Sequence, residues 1–234
     1  MIPSSLILYD LAGADPALRF SPFCWKIRMA LAHKGLDVTT LPWRFIEKEA
    51  IAASQQERVP VLVDGEEWIA DSWRIALHLE KKYADRPSLF GAPQAIPLTR
   101  FFNTYADTVL APAIGPLVLL DIAACLDDPN RAYFRATREK FFGRTLEELV
   151  ADKEAHRATL TRVLAPLNRT LTDQPFFAGE EPAYADYCLF GMFMWARCVS
   201  PQELLTEQEA LHGWRARLLD RFDGLAGKAC RIGG

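Results

Sequence analysis

Three short pairings in this sequence have the chemistry to hold a thiol, a peptide backbone and an amino acid. Ser21-Pro22-Phe23-Cys24 reads as a helix opening, with Ser at a cap position and Pro in the first turn, where its missing N–H costs nothing. Alone, that is how many helices begin. Inside a thiol-binding fold, the hydroxyl and the free N–H groups at the positive end of the helix would hold a thiolate, lowering a thiol pKa from about 8.5 toward neutrality. In Val59-Pro60, a proline opening a strand can carry a cis bond that turns the preceding backbone toward an extended peptide. In isolation it is an edge-strand proline. Asp71-Ser72 opens a further helix, so a carboxylate can rest on Ser72 and the helix N–H groups while Asp71 neutralises an ammonium. By itself this is an ordinary cap.

The remaining reactive residue types point elsewhere. Cys24, behind a bulky aromatic in the first turn, suits apolar packing better than nucleophilic attack. None of His33, His78, His156 and His212 shares a motif with Ser or Cys that suggests a triad, and His33 near a helix end answers the dipole. Trp25, Phe101, Phe102, Tyr105, Phe193 and Trp195 are candidates for an aromatic-substrate pocket, although their helical spacing also suits core packing.

The elements that must position these residues change character near residue 90. Ser5 to Tyr9 predicts a strand; Phe23, Ile27, Ala30 and Leu31 predict a helix stopped at Gly35; Val38 to Leu41 predicts a second strand. After a poorly patterned stretch from Trp43 to Glu57, Val59–Val63 and Glu67–Ala70 form a hairpin around Asp64-Gly65, and Ile75, Leu79 and Tyr83 mark a helix. The order β-α-β, β-β-α matches a thioredoxin-like half. A linker from Asp85 to Pro97 precedes helical segments: Leu98 to Leu126, broken at Pro112 and Pro116, and Asn130 to Leu171, interrupted near Gly143. Tyr184 to Val199, apolar nearly all round, belongs at the centre of the bundle, and Thr206 with Glu209 forms a capping box for a last helix.

Composition bounds the rest. Of 234 residues, half are hydrophobic and 24% charged, with only 13 Gly and 15 Pro, which excludes a disordered or collagen-like chain. Lys plus Arg (27) against Asp plus Glu (30) leaves a net charge of −3, which offers no basic excess for nucleic acid. Five scattered cysteines with no Cys-x-x-Cys pair fit neither a disulfide framework nor a zinc site, so a reducing cytosol and no metal are expected. MIPSSLILYDL lacks the charged start of a signal peptide, and Leu110 to Cys125 is interrupted by Pro112, Gly115, Pro116 and Asp121, short of the ~20 apolar residues of a membrane span.

In order and spacing, the Ser-Pro helix start, RVPVLVDG followed by DSWRIALHLEKKY, and FFAGEEPAYADYCLFG in an all-helical second half resemble the glutathione S-transferases. LYDLAGADPALRFSPFCWKIRMALAHKG and REKFFGRTLEELV are similar to the bacterial β-etherases and fungal etherase-type transferases. The resemblance implies an α/β thioredoxin-like domain over residues 1–90 and an all-α domain over 91–234. It implies glutathione as co-substrate, a small hydrophobic electrophile, a cytoplasmic homodimer, and neither metal, membrane nor nucleic acid. Ser21 would contact the glutathione sulfur; Val59 before a cis Pro60 would pair with the cysteinyl unit; Asp71 and Ser72 would hold the γ-glutamyl end; Arg58, or Lys48, would bind the glycyl carboxylate. Phe23, Trp25, Tyr105 and Trp195 would line the electrophile pocket. The implied reaction is nucleophilic displacement, in the etherase version expelling a phenolate; a non-catalytic glutathione carrier and a dimeric interaction module are the alternatives. Two departures stand out. Ala183 replaces the usual Ser, Thr or Asn cap three residues before Asp186, and Ser21 replaces the Cys of thioltransferase-like relatives, which removes a mixed disulfide there.

Overall fold

Leu6, Leu8 and Leu11 are buried and Ile7 and Tyr9 half-buried, so β1 (Leu6–Leu11) has protein on both faces and both edges. The computed structural model describes residues 6–233, so the expected first strand residue, Ser5, lies outside the described residues. β1 pairs in parallel with β2 (Val38–Trp43) and antiparallel with β3 (Val61–Asp64), which pairs antiparallel with β4 (Glu67–Ala70), giving the order β2-β1-β3-β4. The parallel pair requires a crossover, supplied by α1 (Pro22–His33), which ends ahead of Gly35 at φ 62°. α2 (Ser72–Lys82) follows β4, and a 3-10 stretch, Lys48–Ser54, occupies the segment that has no pattern in sequence. This is a thioredoxin-like half.

Register fixes what meets at one end of the sheet. Tyr9 lies opposite Val61, and Val61 opposite Ala70. Continued by one residue, the β3–β4 pairing sets Pro60 beside Asp71; continued by two, the β1–β3 pairing sets Val59 beside Leu11. The chain therefore leaves β1, enters β3 and leaves β4 at a common edge.

The second half is helical. α3 (Ala95–Tyr105), a π-turn (Ala106–Leu110) and α4 (Ala111–Ala124) run on as one helix, where breaks at Pro112 and Pro116 are expected from sequence. The π-turn resolves the first: the N–H of Ala111 reaches back to the Ala106 carbonyl, and Pro112 falls in the opening turn of α4, where a missing donor is tolerated. Burial of Ile114, Val118, Leu119 and Ile122 holds the helix through Pro116. By length and composition alone the run Ala95–Ala124 could cross a membrane; half of its most apolar window is buried within the protein.

α5 (Asp128–Phe142) stops at Gly143, φ 68°, and a short α6 (Leu146–Leu149), capped reciprocally by Thr145 and Glu148, precedes α7 (Lys153–Thr170). α8 (Tyr184–Val199) is central and buried along almost its whole length, and α9 (Ala210–Gly224) closes the bundle. Two caps differ from expectation. Glu209 turns back to the Thr206 N–H and hydroxyl, and the N–H of Leu211 in α9 is capped instead by Asn168 Oδ1 of α7 at 3.0 Å. At the uncapped Ala183, Asp186 compensates by accepting from the N–H groups of Phe177, Ala178 and Ala183 and from Trp214 Nε1. His33 does not act as a charged partner of the helix dipole: burial pulls its pKa down, and its Nδ1 pairs with the Tyr187 hydroxyl at 2.7 Å.

Candidate active site

Ser21 sits where the loop after β1 becomes α1, and it is 2% exposed. That loop is tethered at both ends, by Ala14 N–H to the Cys125 carbonyl beyond α4 (2.9 Å) and by Trp25 Nε1–H to the Arg19 carbonyl (2.9 Å). Ser21 Oγ accepts the Cys24 N–H at 3.2 Å, which leaves the hydroxyl proton available for another acceptor. Its carbonyl takes the Trp25 N–H, and Pro22 has none, so among the described residues Phe23 is the one first-turn residue whose N–H has no partner.

This helix start opens on a cavity of about 650 Å³. Ser21, Pro22 and Phe23 form one side, Arg58 and Val59 another, and the α4 stripe of Pro112, Gly115, Pro116 and Leu119 a third. Val59 is followed by a cis peptide bond to Pro60, and among the described residues neither its N–H nor its carbonyl enters a turn, cap or loop hydrogen bond. Trp195 reaches the cavity from α8.

Not every candidate arrives there. Trp25 is fully buried, its ring under Arg28 at 4.1 Å, and Tyr105 donates to the Val163 carbonyl at 2.6 Å; neither lines the cavity, because their helix faces point into the core and toward α7. Lys48 is half-buried and paired with Glu57 at 2.7 Å, while Arg58 forms no ion pair among the described residues. Asp71 and Ser72 lie outside the cavity at the α2 N-terminus. Asp71 Oδ1 caps the Arg74 N–H at 3.0 Å, and its φ of 76° is a left-handed value that costs a non-glycine residue about 1–3 kcal/mol. Cys24 is buried with Sγ toward the Tyr9 carbonyl, and burial pushes its thiol pKa well up, so it is a packing residue.

Several cavity residues carry no signal in the motifs above. Tyr133, Phe134, Thr137, Arg138 and Phe141 line it from α5, joined by Phe45 after β2. Their spacing, i, i+1, i+4, i+5 and i+8, is a single helix face, which a periodicity reading could have marked. Asp107, on the π-turn, faces the cavity and is held from behind by the buried Lys26 at 2.6 Å, whose ammonium also meets Asn103 Oδ1 at 3.0 Å. Among the described residues no group of three or more His, Cys, Asp or Glu side chains is placed to hold a metal ion.

Likeness to known proteins follows this geometry. Residues 16–87 match the family model for the glutathione S-transferase N-terminal domain, and residues 97–225 the model for the C-terminal domain. A glutathione S-transferase-like protein of Aspergillus flavus is 32% identical over 148 residues, covering 54% of this chain and 49% of that protein. The chain thus spans about half the length of the curated relatives it matches first. A solved glutathione transferase from Phanerochaete chrysosporium superposes with a TM-score of 0.83 at 25% identity, covering 92% of this chain and 96% of its own. A glutathione S-transferase of Ceriporiopsis subvermispora, crystallised in complex with glutathione, gives 0.79 at 24% identity over 94% of this chain and 96% of that one. With the C-terminal model alone matching more than half of its residues and the N-terminal model matching the stretch that contains Ser21, Val59 and Asp71, the chain belongs to the glutathione S-transferase family.

Proposed function

We propose that this protein is a glutathione transferase in which bound glutathione, as thiolate, attacks an electrophilic carbon of a hydrophobic aromatic substrate. The observation that carries the reading is that the Ser21 hydroxyl and the Val59 backbone open on the same 650 Å³ cavity as the aromatic face of α5. Glutathione fits the sheet edge by length. From β1 across β3 to β4 is two strand spacings, about 9–10 Å, and three extended residues reach about 10 Å. The sulfur would lie at Ser21, the cysteinyl backbone on Val59, the ammonium at Asp71, the γ-glutamyl carboxylate on Ser72 and the α2 N–H groups, and the glycyl carboxylate at Arg58.

The chemistry asked of the protein is small. The glutathione thiol loses its proton to solvent; Ser21 keeps its own and donates a hydrogen bond to the thiolate, the Phe23 N–H and the helix dipole add to it, and the thiol pKa falls. The sulfur then forms a bond to carbon as the leaving group departs with its electron pair, the two reactants being aligned by the cavity. In the etherase-type version the leaving group is a phenolate from a β-aryl ether. The free state of all five cysteines suits a cytosolic protein, and the exposed Leu98 and Phe101 of α3 suit a homodimer.

Thiolate absorbance near 240 nm, read as glutathione is added, is the direct test, followed by turnover of a panel of aryl ethers and generic electrophiles. Binding without a thiolate signal or turnover would make the protein a glutathione carrier; no binding would remove the reading altogether.

A further inference from the structure

Arg138 carries a charge that the protein leaves unanswered. It lies half-buried on the cavity face of α5, its guanidinium 5.2 Å from the centre of the Phe45 ring and 4.7 Å from that of Phe134. Its single hydrogen bond to a side chain is to Thr137 Oγ1 at 2.8 Å, and among the described residues it forms no ion pair. The other charges lining the cavity are accounted for: Asp107 is paired with Lys26 and Glu57 with Lys48. That leaves Arg58 and Arg138, two cations without a carboxylate. Burial pulls the Arg138 guanidinium below its usual range, and the positive charge of Arg58 adds to the effect.

A partly desolvated cation without a counter-ion is costly, and two rings beside a guanidinium leave most of its five N–H donors free. Its planar fork matches a carboxylate with two parallel hydrogen bonds. We propose that Arg138 is a specificity-determining residue that selects electrophiles bearing a carboxylate on an aromatic ring, the ring lying against Phe45, Tyr133 and Phe134 while the carboxylate meets the guanidinium. The inference rests on the transferase reading, which assigns the glycyl carboxylate of glutathione to Arg58 and leaves Arg138 for the second substrate.

The test uses the full chain and two nearly isosteric probes, 4-(chloromethyl)benzoate and 4-(chloromethyl)benzamide. In each, the glutathione sulfur forms a bond to the benzylic carbon and chloride leaves with the C–Cl pair. A hydrogen-bonded charge pair contributes about 1.5–3 kcal/mol, so the benzoate should be favoured in kcat/KM by roughly 10–150-fold. Arg138→Gln should erase that preference with the KM for glutathione unchanged, Arg138→Lys should keep part of it, and Arg58→Gln should raise the KM for glutathione with the preference intact. A preference that survives Arg138→Gln overturns the proposal, as does a rise in the KM for glutathione in that variant, since Arg138 would then hold the tripeptide. Calorimetry with unreactive 4-methylbenzoate and 4-methylbenzamide on the glutathione-loaded protein reads the same selectivity without turnover. If neither chloride reacts and the benzoate still binds more tightly through Arg138, the transferase reading fails and the anion site stands; equal binding of the two sinks the site itself.

Discussion

Replacing Ser21 with alanine removes two interactions that can be measured separately. The first is the cap: Oγ accepts the Cys24 N–H at 3.2 Å, and losing an N-cap oxygen costs about 1 kcal/mol. In a chain of this length that is a fall in melting temperature of roughly 2–4 °C. The second exists only when thiolate is present. A hydrogen bond to a charged group contributes about 1.5–3 kcal/mol, and at 1.36 kcal/mol per pKa unit its loss raises the bound thiol pKa by about 1–2. The sign matters: the donor depresses the thiol pKa, so its removal moves the rising limb of the pH–rate profile to higher pH and costs most rate near neutrality. Part of that rate returns once the pH exceeds the raised pKa. The Phe23 N–H and the helix end remain, so the loss near pH 7 should be about 10–100-fold rather than complete. The assay is kcat/KM against pH together with the 240 nm thiolate signal, with Cys24→Ser as the control expected to change little. A loss of rate equal at every pH, or an unmoved profile in Ser21→Ala beside an inactive Cys24→Ser, would refute the assignment and promote Cys24.

Asp71→Asn keeps a capping oxygen for Arg74 but removes the charge proposed to face the γ-glutamyl ammonium, so glutathione affinity by calorimetry should fall by about 2–3 kcal/mol with little change in melting temperature; undiminished affinity would place the ammonium elsewhere. Gly191→Ala puts a Cβ into the Pro22 carbonyl and against Lys26, an overpacking cost of about 1–3 kcal/mol that should lower the melting temperature and, by moving the neighbour of Ser21, the turnover; a variant that melts and turns over like the parent would show that α1 has slack there. Burial pushes the Glu203 carboxyl up, but the two-pronged Arg215 pair at 2.6 and 2.7 Å and the N–H groups of Leu205 and Leu204 outweigh it and hold the pKa at about 2. A depressed folded pKa means stability that is present above the ordinary carboxylate range and lost as pH falls from about 4.5 toward 2. Glu203→Gln should therefore flatten the acid limb of an unfolding titration followed by circular dichroism, and coincident acid limbs would count against the pair.

What sequence makes legible here is local punctuation. Ser21, Val59-Pro60 and Asp71 are marked by the caps and turns they make with residues one to four positions away, and the sheet register then gathers them without further information. The cavity wall on α5 is different in kind. Tyr133, Phe134, Thr137, Arg138 and Phe141 form a regular helix face, but periodicity records only that the face is distinct, and its target is Phe45, some ninety residues earlier. For the same reason Trp25 and Tyr105 cannot be told from Trp195 by type, since an aromatic at helical spacing looks identical whether it fills the core or a cavity. Pro112 misleads for a further reason. Proline reports a lost hydrogen bond, and a helix can absorb the loss by widening into a π-turn just ahead of it, which no propensity encodes.

That π-turn also links the two halves of the site. Asp107, on that turn, both holds Lys26 of α1 and lines the cavity beside Pro112, Gly115, Pro116 and Leu119 of α4. The buried ammonium of Lys26, one turn into the helix that Ser21 begins, is satisfied there by Asn103 and Asp107. Gly191 of α8 holds the same helix from the other side, through contact with Pro22. The residue proposed to activate the thiol and the wall proposed to hold its target are thus two faces of one packing contact. A displacement of α1 large enough to misplace Ser21 would strand the charge of Lys26 away from Asp107, at several kcal/mol for a buried ion pair that loses a partner. The position of Ser21 against the cavity wall is in this way fixed by the core itself.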